Sequence, residues 1–150
     1  MPPKLSLKIE YKSPFVTLLM FVNQKGYRTA WMLNKHLDFE LERIRDFEYF
    51  IDDNEAAFGL YKYFCNKYRM NFFLLENKNE KGAIINSKPA PDYLLLIWNK
   101  SDFFDIDSFI KTLKKNSALQ AVVCLDAKME QKHQAFFHDL EFFLEGNEEI

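Results

Sequence analysis

The sequence is short of glycine, cysteine and histidine, and each shortage removes a class of chemistry. It has four glycines in 150 residues, at positions 26, 59, 82 and 146, none close to another. Phosphate-cradling loops need clustered glycines, so P-loop and dinucleotide motifs are excluded. The two cysteines, Cys65 and Cys124, are isolated within apolar runs. They make neither a disulfide framework nor a zinc knuckle, and both are expected as buried free thiols on strands. No Gly-x-Ser-x-Gly occurs, so a nucleophile exposed on a sharp turn is missing as well. Of the three histidines, His133 and His138 stand five apart on one helix, roughly 140° around its axis, and do not share a metal. His138 with Glu141 is half of a carboxylate-type metal site, and no matching half is present. His36 sits at a helix end beside Lys35 and Asp38, where it favours the dipole. Asp52–Glu55 lacks the glycine and terminal glutamate of a calcium loop, and Asp105 and Asp107 open a helix, where acids complement the dipole. The expectation is no catalytic residue, no cofactor and no metal.

Long apolar runs are missing too. Phe15–Val22 and Tyr93–Trp98 are far too short to span a bilayer. Met1-Pro2-Pro3-Lys4 opens no apolar run of signal-peptide length, which points to the cytoplasm. A net charge of −2 gives no general attraction to nucleic acid or to an anionic membrane.

What the chain has in quantity is phenylalanine, 16 copies, within an aromatic fraction of 17%. Each buried ring removes on the order of 150–250 Å² from water, so a substantial core and a single domain over 1–150 are expected.

Leu5, Leu7 and Ile9 alternate with polar residues as an edge strand does. Phe15–Val22 is a continuous run of β-formers, a strand buried on both faces. Asn23 is placed to cap a helix reaching Leu37 whose inward face is Tyr27, Ala30, Trp31, Asn34 and Leu37. Phe39 and Leu41, then Phe47, Tyr49 and Ile51, alternate with acids across a phase break at Arg43–Arg45 that suggests a bulge or bend. Asp52-Asp53-Asn54 is a turn, and Phe58–Cys65 and Met70–Leu75 form a hairpin through Asn66-Lys67. Asn77–Pro91 is a surface loop. Tyr93–Trp98 is a central strand, and Ser101 or Asp102 begins a helix with Phe103, Ile106, Phe109, Ile110 and Leu113 inward and Asn116 at its end. Leu119–Leu125 is a strand, Glu130–Leu144 a helix with a seam of Phe136, Phe137, Leu140, Phe143 and Leu144, and residues 145–150 a frayed tail.

Two strand–helix–strand units, 15–42 and 93–125, predict an α+β fold. Its antiparallel sheet carries helices on one face, in a ferredoxin-like layer with an inserted β-hairpin and an extra C-terminal helix. Trp31, Leu33, Leu95, Ile97, Phe109, Leu113 and Val123 are the expected core.

The segment Tyr27-Arg28-Thr29-Ala30 with Leu33-Asn34-Lys35-His36-Leu37 resembles a helix of the small uncharacterised bacterial IPExxxVDY family. That family's signature can be laid on Ile85–Tyr93. Ile85, Asp92 and Tyr93 match at the right spacing, while Asn86, Ser87 and Pro91 replace the Pro, Glu and Val. The likeness spans about residues 15 to 128. It identifies the chain as a divergent member and marks Tyr27, Arg28, Asn34, Lys35, Ile85, Asp92 and Tyr93 as signature matches of unassigned role. The family has no assigned activity, so the resemblance implies a small cytoplasmic bacterial α+β protein and leaves function open. The loss of the signature Glu argues against any role that needs its carboxylate.

Asp92, just before a buried strand, is costly there unless it is paired, and is expected as an anchor held by Arg28, Arg43 or loop amides. Elimination and the supply of aromatics favour a non-enzymatic interaction or structural protein, whose partner is another protein or a second copy of itself. The alternative is an RNA- or ribosome-associated protein stacking bases on a hairpin of Tyr61, Tyr63, Lys67, Tyr68 and Arg69, although packing of these rings into the core is the commoner use. An enzyme of unfamiliar type ranks third.

Overall fold

A computed structural model describes residues 12–146. The strand expected at Leu5–Ile9 lies outside the described residues, as do residues 147–150 of the expected tail.

The first described element is β1 (Phe15–Val22), whose apolar run leaves no face for water. After a bend comes α1 (Gly26–Leu37), followed by the two-residue β2 (Glu42–Arg43). Strands β3 (Phe47–Ile51) and β4 (Asn54–Phe58) form a hairpin of their own, closed by Asp52 and Asp53, both with positive φ. Two such residues twist a tight turn to match its strands. Next come β5 (Leu60–Cys65) and β6 (Met70–Glu76), a small hairpin of β7 (Lys78–Asn79) and β8 (Gly82–Ala83), and β9 (Tyr93–Trp98). The C-terminal part adds α2 (Ile106–Lys114), β10 (Leu119–Cys124), α3 (Ala127–Lys132) and α4 (Gln134–Glu145).

Six strands make one antiparallel sheet in the order β10-β1-β9-β6-β5-β2. The protein is α+β, as its sequence pattern predicts. Strands β1, β6, β9 and β10 with α1 and α2 form the split β-α-β layout of a ferredoxin-like layer. The insertion is larger than one hairpin. From α1 the chain crosses to the far edge as β2, leaves the sheet after Ile44, makes β3–β4, and returns as β5 before β6 takes its place beside β9. The phase break at Arg43–Arg45 is thus the point of departure from the sheet.

Each face of the sheet has its own core. Leu18, Met20, Phe72, Leu74, Leu95 and Ile97 pack under α1 and α2. Phe15, Leu19, Phe73, Leu75, Leu94 and Leu96 pack under α4 and the β3–β4 hairpin. Helices therefore cover both faces. Those on the first are the two expected there, and the extra C-terminal helix takes the second because its Phe136, Phe137 and Leu140 bury a ring-filled seam. That segment is two helices rather than one, interrupted at His133. The expected tail begins inside α4, which includes Glu145.

Several expectations need correction. Helix α1 is rotated from its expected face. Gly26, Thr29, Ala30, Met32 and Leu33 point inward, while Tyr27 and Trp31 are 62% and 61% exposed. Tyr61 and Tyr93 of the sheet already fill the space below, so the helix meets them with small residues. Asn23 does not cap it; Lys25 occupies the N-cap position without a side-chain bond. Helix α2 starts at Asp105 rather than at Ser101 or Asp102, because the Asp105 carboxylate accepts from the Ser108 amide at 3.1 Å. Phe103 then falls in the preceding turn, fully outside, and Phe104 packs in its stead. Val123 is half exposed and Cys124 exposed because β10 is an edge strand; Cys65 is buried. Leu33, Leu95, Ile97, Phe109 and Leu113 are in the core as expected.

Candidate functional site

The segment from Glu76 to Tyr93 leaves the sheet and re-enters it at the end where α1 begins. One buried side chain holds the excursion. The Asn77 amide nitrogen donates to the carbonyls of Ile85 (3.0 Å) and Pro91 (2.8 Å), and its oxygen accepts from the Ile85 amide (2.8 Å). Sequence reading missed Asn77, since an amide just after an apolar run equally marks an exposed loop. Ile85, fully buried, plugs the core beneath α4.

Asp92 is an anchor, but no arginine holds it. One carboxylate oxygen accepts from the Val22 amide at 2.8 Å, and the other pairs with Lys78 Nζ at 2.9 Å. Its backbone donates to Met20 and accepts from Asn77, tying the ends of β1 and β6 together. Arg43 instead pairs with Asp46 at 2.8 Å, and Arg28 lies 6.0 Å from the Tyr27 ring. Asn34 is also an anchor. Its side-chain oxygen accepts from the Leu41 amide (2.8 Å) and its nitrogen donates back to the Leu41 carbonyl (3.2 Å), fixing the exit from α1.

Tyr93 donates its hydroxyl to the Gln24 carbonyl at 2.5 Å. Burial first, then the nearby Glu76 and Asp92 carboxylates, push its phenol up to about 12, against a lowering hydrogen bond with Thr29. Burial also raises the Tyr61 phenol, partly offset by Arg43, whose guanidinium lies 5.8 Å from the ring. The Tyr61 hydroxyl is buried, the residue being only 4% exposed, and Arg43 is the donor that faces it.

These groups border a cleft of about 570 Å³ at the sheet end, lined among others by Gln24, Tyr27, Arg43, Glu76, Asp92 and Tyr93. Three signature matches, Tyr27, Asp92 and Tyr93, thus meet in one place. Glu76 reaches the cleft between Gly26 and Gly59, and at either glycine an added Cβ would collide with its carboxyl group, 2.6 Å away for Gly59.

A second surface adjoins the first. Along the outer face of α1, Tyr27 and Trp31 stand one turn apart, and Lys35 Nζ lies 4.7 Å over the Trp31 ring. Gln24, Tyr27, Arg28, Trp31 and Met32 line a shallow cleft of about 550 Å³. The helix carries Arg28, Lys35 and His36 and no acid.

The hairpin considered for RNA uses its rings in the core. Tyr61 is buried, Tyr63 stacks on Phe39 at 4.5 Å, and Tyr68 meets the edge of Phe104 at 5.2 Å, all on the face covered by α1 and α2. Lys67 lies over Tyr68 and is exposed, as is Arg69 in its positive-φ turn. Phe64, between Tyr63 and Cys65, is an exposed ring of this hairpin.

Among the described residues, no three or more His, Cys, Asp or Glu gather to hold a metal, and no helix is long and apolar enough to cross a membrane. No protein-family model, curated protein or solved structure gives a significant match to the chain.

Proposed function

We propose that this chain is a non-enzymatic protein-binding module whose docking surface is the outer face of α1, and that its partner presents an acidic segment bearing an apolar side chain. One observation carries the reading: two large aromatic rings, each more than 60% exposed, lie one turn apart on a helix flanked by Arg28 and Lys35 and free of carboxylates. Trp, Tyr and Arg dominate the energetics of protein interfaces, and rigid rings contribute area at small entropic cost. The cations select the sign of the partner's charge. The sequence supports the non-enzymatic part, having no nucleophile elbow and no phosphate loop. Two free cysteines fit a reducing, cytoplasmic setting. The same reading takes the chain as a divergent IPExxxVDY relative, on the strength of the Tyr27–Leu37 and Ile85–Tyr93 likeness.

The test is fluorescence anisotropy with three labelled probes: an acidic peptide carrying Leu and Phe, its charge-reversed twin, and a single-stranded RNA. The acidic peptide should bind, and Trp31→Ala and Arg28→Glu should each weaken it by about tenfold or more. Equal binding of the charge-reversed peptide, or an unchanged affinity in Trp31→Ala, would overturn the reading. Tighter binding of RNA than of the peptide would replace it with a nucleic-acid function.

A further inference from the structure

The sheet-end cleft carries chemistry that α1 docking does not use. Its ionic groups divide unevenly. Arg43 is paired with Asp46 and Lys78 with Asp92, and Lys25 also lines the cleft. Glu76 is half-buried, and its carboxylate has no ion pair and no hydrogen bond among the described residues. One further oxygen nearby, the side-chain carbonyl of Gln24, is fully buried without a donor, and the buried Tyr61 hydroxyl faces the Arg43 guanidinium. The Tyr61 hydroxyl stands 3.2 Å from where a Cβ of Gly26 would be, on the same side as Glu76. Between these paired groups the Glu76 carboxylate and the Gln24 carbonyl oxygen are the acceptors left open to a further donor. Buried polar groups are ordinarily satisfied, and clusters that are not mark places where a partner completes them.

We propose that this cleft binds an alkylammonium or guanidinium group, seated on the Glu76 carboxylate. Such a group supplies several N–H donors and a positive charge at once, which matches a carboxylate flanked by neutral oxygens. Gly26 and Gly59 make room for the carboxylate. Tyr93, held by its bond to the Gln24 backbone, forms a neutral wall. Glu76 also lies beside the first turn of α1, which has no acid of its own, and offsets the positive end of that helix. A carboxylate serving only that purpose would bind nothing, and the experiment separates the two roles. The group has two sources, a free small amine or a Lys or Arg side chain on another protein.

The probes are n-butylammonium, methylguanidinium, L-lysine and L-arginine, and lysine and arginine capped at both backbone ends. Binding is read from the amide NMR signals of Gly26 and Gly59 in the whole chain. Saturable shifts are expected below about 10 mM. Glu76→Gln should weaken them at least about tenfold. Tyr61→Phe, which keeps the ring and hence the core, should weaken them roughly threefold. Trp31→Ala should leave them unchanged, which separates this site from the α1 surface. If capped forms bind as well as free ones, the source is a protein side chain; if a free amine or amino acid binds about tenfold tighter, it is a small molecule. No saturable shift in the unmodified chain, or equal binding by folded Glu76→Gln, would overturn the site. Should Glu76→Gln fail to fold, unchanged binding by Tyr61→Phe would overturn it.

Discussion

Helices α1 and α2 lie on the same face of one sheet, each following a strand buried at its centre, yet they meet that sheet in opposite ways. Helix α2 turns Phe109 and Leu113 inward and begins with a side-chain cap from Asp105. Helix α1 turns in glycine, threonine and alanine beside Met32 and Leu33, begins without a side-chain cap, and holds its two largest rings outside. In α2 the local preferences and the packing agree. In α1 they disagree, and such disagreements in natural proteins concentrate where something other than stability is served. Both candidate surfaces touch the start of α1, and none of the residues argued for them lies on α2.

The comparison makes its largest prediction at positions where the two helices should behave alike. Leu33→Ala and Leu113→Ala each remove a fully buried leucine, and each should cost about 2–5 kcal/mol in urea unfolding. A loss below about 1 kcal/mol for Leu33 alone would mean that α1 is not seated as described.

A smaller effect belongs to the anchor at the start of α1. Asp92→Ala leaves the Val22 amide without its acceptor and should cost about 1–3 kcal/mol. Lys78→Ala, which removes only a half-exposed ion pair, should cost no more than about 1 kcal/mol by the same measurement. Equal losses would assign the anchoring to the ion pair instead of the amide.

The side chains set against the starts of the two helices also part at opposite ends of the pH scale. Donors from Ser108, its hydroxyl before its amide, hold the Asp105 carboxyl below its usual range. A depressed folded value stabilises above the ordinary carboxylate range and loses that contribution as pH falls through the folded value. The melting difference between the unmodified chain and Asp105→Ala should therefore be present at neutral pH and vanish in strong acid. The Tyr93 phenol is raised to about 12, so its contribution is complete below its unperturbed value of about 10 and is lost as pH rises from there. In an alkaline titration followed by phenolate absorbance, Tyr93→Phe should remove the late-ionising step. Loss of an early step instead would place the Tyr93 ring in solvent.

The smallest expected effect is at Trp31. Trp31→Ala should change stability by no more than about 0.5 kcal/mol, because the ring is outside the core. A loss of several kcal/mol would show that the ring is buried and would erase the contrast between the helices.

The sheet centre was legible because Phe15–Val22 and Tyr93–Trp98 are continuous apolar runs with polar residues at both ends, a pattern few alternatives fit. Helix α1 was legible as a helix but not in its rotation. Tyr27 and Trp31 share a stripe, and so do Gly26, Thr29, Ala30 and Leu33; hydrophobicity prefers the first, whereas the bulk of Tyr61 and Tyr93 beneath requires the second. That deciding bulk comes from residues 34 and 66 positions further on, beyond any local window. The candidate site was half visible: Asp92 reads as an anchor because it precedes a buried strand, but Glu76 and Asn77 looked like the close of a strand and the start of a loop. Their roles depend on Gly26 and Gly59 in one case and on Ile85 and Pro91 in the other.

The strand order has a consequence for how the chain is made. Strand β1 is the first described strand of the main sheet, and both its hydrogen-bonded neighbours, β9 and β10, come some 70 residues or more later in the chain. At about 5–20 residues per second, a ribosome finishes β10 about 5–20 s after β1. Throughout that interval the nascent chain holds an eight-residue apolar strand with neither lateral partner. Its β5–β6 hairpin can already form, but it stays one strand away from β1 until β9 fills the gap. Translation halted before residue 93 would leave β1 without either neighbour, a segment for a chaperone to hold or for another unfinished chain to capture.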